Sequence, residues 1–170
     1  EQTLKRFNVS SLEEFSTTSK IGNPYTTKSS FDKFIFAYEN DNWVKLYKPL
    51  DEKKYKFQYL GTKEQGFIFG WKQLPENGEL LIITGGEKDV MTLAAKGFNA
   101  ITLNSETATL PKNIVDELKL RFKTILVLYD NDETGLKQSN ILAVAHGLHR
   151  LVLPTLQNNG KDISDYFANG

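Results

Sequence analysis

Thr124-Ile125-Leu126-Val127-Leu128-Tyr129-Asp130-Asn131-Asp132-Glu133-Thr134-Gly135 decides the reading of this chain. Its apolar, β-branched opening has the length and composition of a strand buried on both faces, as in a parallel sheet. That strand runs directly into Asp130 and Asp132, which lie two apart and share a side if the backbone stays extended. In open parallel sheets, ligands bind at the carboxyl ends of the strands, so this pair marks a candidate site.

Upstream, Leu80-Leu81-Ile82-Ile83 is a similar run that ends in Thr84-Gly85-Gly86-Glu87-Lys88-Asp89. Residues 88–96 then carry Val90, Leu93 and Ala94 at helical spacing, stopped by Gly97. Asn99–Leu103 reads as a further strand, and Pro111 opens a helix with Ile114, Val115, Leu118 and Phe122 on one face. Beyond the decisive stretch, a helix is predicted over 133–147, a strand at Arg150–Leu153 and a short helix near Ile163–Phe167. Alternating strands and helices predict an α/β domain over 76–170, a parallel sheet with helices on both faces.

Residues 1–75 read differently. Phe34–Tyr38, Trp43–Tyr47, Lys54–Phe57 and Gly66–Trp71 alternate with period two and are rich in aromatics, which predicts a small, mainly antiparallel α+β subdomain. Ser10, with Glu13 three positions later, fits a capping box for a helix over 11–16. Lys45, Lys48, Lys54, Lys56 and Lys72 interleave with Trp43, Tyr47, Tyr55, Phe57, Tyr59 and Trp71. Such a pattern offers ammonium groups to phosphates and rings to bases. It equally describes an aromatic core under a solvated lysine face.

Charge is balanced, 21 basic against 21 acidic residues, which argues against a generic nucleic-acid coat. With no cysteine, disulfides and thiolate-bound zinc are excluded. His146 and His149 suit packing or surface roles. No membrane-length apolar run is present, so a cytoplasmic protein without a membrane partner is expected. Because the chain opens on Glu1 rather than Met, it is read as a piece of something longer.

Carboxylates crowded at two strand ends repel unless a cation neutralises them, and oxygen-only donors favour Mg2+ or Mn2+. Each motif alone has a plainer reading, because Asp often caps the next helix and a glycine pair often makes only a turn. Four segments in one order are more specific: Gly86-Glu87-Lys88-Asp89-Val90, Asn99–Asn104, Leu128–Gly135, and Gly160-Lys161-Asp162-Ile163-Ser164-Asp165-Tyr166-Phe167. Over roughly 79–168 they resemble a Toprim domain, as in bacterial and phage primases and primase-helicases. The lysine-bearing segment before them is similar to the basic subdomain that precedes Toprim in bacterial primases.

The resemblance implies a Toprim, Rossmann-like sheet and a DNA primase that joins nucleotides into RNA primers on single-stranded DNA. It makes Asp130 and Asp132 the paired metal-binding aspartates and Asp89 a further ligand. Asp162 is an acidic residue that often joins the site, with Asp165 as a companion. The family's first motif usually reads E-G-E-x-D and its first Glu is held essential; here that position is Gly85. Glu87 matches the second Glu. Either it has taken over the missing role, as metal ligand or proton acceptor, or part of the chemistry is lost. Expected partners are a single-stranded DNA template, nucleoside triphosphates and a fused or separate helicase. No zinc module or helicase phosphate loop occurs in the chain, so a phage or mobile-element primase-helicase would carry them elsewhere. A catalytically impaired nucleic-acid-binding module and a Toprim nuclease are the alternatives. A phosphoacceptor signalling domain fits poorly, since it lacks the glycine pair and the second Asp at 132.

Overall fold

The computed structural model describes residues 1–19, 21–105, 107–155 and 160–169. They form two compact units, Glu1–Gln65 and Gly66–Gly170. In the first, a short helix α1 (Gln2–Arg6) leads to β1 (Val9–Ser11), β2 (Glu14–Thr18), β3 (Pro24–Lys28), β4 (Phe36–Glu39), β5 (Trp43–Tyr47) and β6 (Phe57–Gly61). β1, β4, β5 and β6 make one antiparallel sheet, and β2 and β3 a separate ribbon. The helix expected over 11–16 is absent. Those residues pair as strands, because β1 finds β4 and β2 finds β3, and such ladders override a local capping signal.

One face of the antiparallel sheet is aliphatic: Ala37 and Leu46 pack with Ile35 and Phe15. Alternation puts the aromatics on the other face. There Tyr47 stacks on Phe57 with centroids 5.1 Å apart, and Trp43 lies 6.0 Å from Tyr59.

The second unit contains β7 (Ile68–Phe69), β8 (Gly78–Thr84), α2 (Glu87–Ala95), β9 (Asn99–Leu103), α3 (Lys112–Arg121), β10 (Phe122–Leu128), α4 (Glu133–His146), β11 (His149–Arg150) and α5 (Ile163–Asn169). The compact units divide at Gln65–Gly66, whereas the sequence pattern changes near residue 75. The reason is β7: it pairs antiparallel with β9 and so forms the edge of the α/β sheet, although its sequence looks like another strand of the aromatic-rich segment. β11 is shorter than the strand expected over 150–153, although the Leu151 amide still donates to the Val127 carbonyl at 3.0 Å.

The strand order is β11-β10-β8-β9-β7, with β8, β9, β10 and β11 parallel. Leu81, Ile83, Ile125 and Val127 pack with Val115 and Leu118 of α3 and Leu142 and Ala143 of α4 on one face. α2 packs on β9 and against α5; right-handed crossovers put α2 on the face opposite α3. From β8 the chain therefore leaves to one side through α2 and returns to the other through α3. The crevice between the ends of β8 and β10 is the switch point at which doubly wound sheets bind ligands.

Candidate active site

Both acidic segments end at that switch point. β8 and β10 are direct neighbours, with Leu128 opposite Thr84 at the last register position. Glu87 begins α2, half-buried, and Asp89 lies one turn in with only 3% of its surface exposed. Asp130 and Asp132 follow β10 immediately, and Asp162 comes from the loop before α5.

The aspartates serve the backbone and the crevice together. Asp132 Oδ1 accepts from the Gly135 amide at 2.9 Å and so caps α4, while its Oδ2 accepts from Lys161 Nζ at 2.8 Å. Asp162 repeats the arrangement: Oδ1 accepts from the Asp165 amide at 2.8 Å and starts α5, and Oδ2 meets Lys88 Nζ at 2.8 Å. The plainer reading of these residues as helix caps is therefore true of one oxygen each. The other oxygen of each accepts from a lysine ammonium.

Lys161 also contacts Asp130 Oδ2 at 2.8 Å, so one ammonium spans the Asp130–Asp132 pair. It is half exposed yet committed to two carboxylates. Their hydrogen bonds raise its pKa, and the Gly135 amide followed by Lys161 holds that of Asp132 below the usual carboxylate range. For Lys88, burial favours the neutral amine, but Asp162, Asp89 and Asp165 outweigh it and the pKa is raised. Asp165 accepts from the Lys161 amide at 2.9 Å, which lowers its pKa.

Asp89 stands apart. Burial first, opposed by a 2.7 Å hydrogen bond from Ser164 Oγ and reinforced by the charges of Asp162 and Asp130, pushes its carboxyl up to about 7. Ser164 was not foreseen; it is linked in turn to Thr92 of α2 at 3.0 Å. A buried acid that faces other carboxylates is a place where added positive charge would be stabilised. The oxygen-only donors around it suit a hard divalent cation. As they stand, no three carboxylate or histidine side chains among the described residues converge on one ion, and lysines stand among them instead.

The glycine of the D-x-D-x-x-G run also has a physical reason. A Cβ on Gly135 would collide with the carbonyl oxygen of Asp130, so only glycine lets the first turn of α4 close over the strand end. Gly86 begins α2 with extended backbone, and a Cβ there would meet only Asp89 Oδ2 at 3.4 Å.

The lysines expected to bind nucleic acid have different surroundings. Lys45 is buried, its ammonium 4.4 Å from the Phe57 ring centroid. Lys48 pairs with Asp51 and Lys54 with Glu52, both at 3.4 Å. Lys56 is half-buried, and Lys72 is exposed in the other unit. Tyr55, Phe57 and Tyr59 present exposed rings along and just before β6.

A family model described as Toprim-like matches residues 82–167. No curated protein matches the chain. Among solved structures it is similar to the primase fragment of the bacteriophage T7 primase-helicase protein, with 20% identity and a TM-score of 0.66 over 99% of this chain and 66% of that one. A structure of the T7 lagging-strand DNA polymerase with primase domains bound to an RNA/DNA hybrid and dTTP matches at 19% identity and TM-score 0.63, covering 99% and 80%. The DnaG primase catalytic domain bound to single-stranded DNA matches at 18% and 0.59, covering 99% and 57%. At such identities the likeness is one of fold, and the chain spans less than two thirds of the first and third of these proteins. Among the described residues, no helix is long and apolar enough to cross a membrane.

Proposed function

The chain belongs to the Toprim-like family, and from that premise we propose that it is the catalytic fragment of a DNA primase, joining nucleotides into RNA primers on a single-stranded DNA template. What supports this reading is that Asp89, Asp130 and Asp132 follow the ends of the neighbouring strands β8 and β10, with Asp162 tied to the first turn of α2 through Lys88 and Asp130 and Asp132 tied together through Lys161. Mg2+ or Mn2+ would be held by Asp130, Asp132 and Asp89 with Asp162, supplying an activated 3′-hydroxyl and charge stabilisation for the leaving pyrophosphate. Glu87, on the first turn of α2, takes the hydroxyl proton or adds a further ligand. Lys88 neutralises part of the carboxylate charge that would otherwise repel an incoming triphosphate.

The template is the partner of the first unit. Its exposed Tyr55, Phe57 and Tyr59 stack bases, with Lys54, Lys56 and Lys48 nearby in sequence for phosphates. Lys45 acts through the ring of Phe57, and Lys72, in the other unit, is a further phosphate contact. A helicase, fused or separate, follows from the primase-helicase relative.

A second reading is a nucleic-acid-binding module with impaired catalysis. Gly85 at the position of the usual first Glu favours it, as do the lysines standing among the carboxylates. Calorimetry with Mn2+ and Mg2+ on the unmodified chain, Glu87→Gln and Asp130→Asn separates the two, followed by primer synthesis on single-stranded DNA. Asp130→Asn should weaken metal binding at least tenfold, about 1.4 kcal/mol, and abolish primers. Should the unmodified chain bind neither metal at millimolar concentration, even with DNA and nucleotide, the enzyme reading fails and the module takes its place.

A further inference from the structure

Lys161 is the residue that the proposed chemistry leaves over. Its ammonium lies 2.8 Å from Asp130 Oδ2 and 2.8 Å from Asp132 Oδ2, between the two carboxylates on which metal binding most depends. Its backbone is fixed independently of that contact: its amide donates to Asp165 and its carbonyl accepts from the Asn131 amide at 2.6 Å. The side chain is thus a flexible arm on a rigid base, half exposed at the mouth of the crevice. A cation between two aspartates and a divalent ion on the same oxygens exclude each other by charge and by volume. A displaced ammonium on a fixed base stays at the mouth, where the incoming substrate brings phosphate oxygens.

We propose that Lys161 is an internal counter-ion of the acidic crevice: it occupies the place of the metal between Asp130 and Asp132, and yields it when a triphosphate takes the ammonium in exchange. Metal and triphosphate then bind in a coupled way, each tightening the other, through the movement of one side chain. This rests on the reading of the crevice as a metal site. It explains why lysines stand where ligands should converge. It also gives the site a reason not to hold metal tightly in the absence of substrate.

The test is calorimetric titration of Mn2+ into the full chain and Lys161→Met, each with and without inorganic triphosphate. Methionine keeps the apolar stem and both backbone contacts and removes only the charge. Without triphosphate the variant should bind Mn2+ at least tenfold more tightly than the unmodified chain. Triphosphate should tighten Mn2+ binding in the unmodified chain and do so much less in the variant. Lys161→Gln, which retains a donor, should behave alike and serves if the Met variant does not fold. Lys123→Met, which removes a charge paired to Glu79 at the opposite end of the strands, should leave Mn2+ affinity unchanged. Equal or weaker Mn2+ binding in both Lys161 variants, with the unmodified chain still binding, overturns the counter-ion and leaves the metal site standing. If neither the unmodified chain nor the variants bind Mn2+, with or without triphosphate, both ideas fall.

Discussion

Asp89 binds a proton in the folded chain that it would release in the unfolded one. Folding lifts its carboxyl from the ordinary 3.8 to about 7. Between those values the folded state holds one proton more than the unfolded state, so stability falls as pH rises from about 4 to 7 and is flat above. Asp89→Asn keeps the shape and the Ser164 hydrogen bond and removes the titration. At about 1.4 kcal/mol per pKa unit, a rise of about three units means that the variant should gain on the order of 4 kcal/mol at pH 8 and almost nothing at pH 4. Urea unfolding across that range checks this, and a gain that is the same at both pH values would show that Asp89 is not the group responsible. The same substitution should weaken Mn2+ binding, so that stability and ligation move in opposite directions at one residue.

At the scale of elements, the junction between β10 and α4 is where fold and site are one feature. Gly135→Ala places a methyl group against the Asp130 backbone and must push the strand end from the first turn of the helix. A cost of about 1–3 kcal/mol is expected, with weaker Mn2+ binding because Asp130 moves. An unchanged melting temperature would refute the close approach. This junction, like β8, β9 and α2, is legible in sequence because its signals are local: apolar runs, helical spacing and a stop at glycine. Residues 11–16 are misread for the opposite reason. Ser10 and Glu13 spell a helix start, but the partners that make strands of them, Ala37 for Ser10 and Lys28 for Glu14 beside it, are distant in the chain. The ion pairs are hidden likewise. Nothing near Lys161 in sequence indicates Asp132, and Lys88 finds Asp162 only because α5 packs against α2.

For the molecule as a whole, zero net charge and the committed lysines of the first unit would set how it meets the proposed single-stranded template. Affinity for single strands should come more from stacking than from counterion release. Phe57→Ala and Tyr59→Ala are each expected to cost at least about 1 kcal/mol. The salt dependence should be shallow, on the order of two phosphate contacts at about −0.7 each in log–log slope. Fluorescence anisotropy of a labelled oligonucleotide at several salt concentrations measures both. A steep slope with harmless ring substitutions would return the interface to the lysines.

The crevice is finished by residues that come late in the chain. Lys161, Asp162, Ser164 and Asp165 all follow the last strand; the first three contact groups set down much earlier, and Asp165 holds the Lys161 amide. During synthesis the sheet can therefore close before its acidic mouth has any neutralising partner. A nascent chain that ends ahead of residue 160 would carry a folded scaffold with raw, self-repelling carboxylates. Loss of the chain from residue 160 onward would remove all four of these residues from the crevice at once.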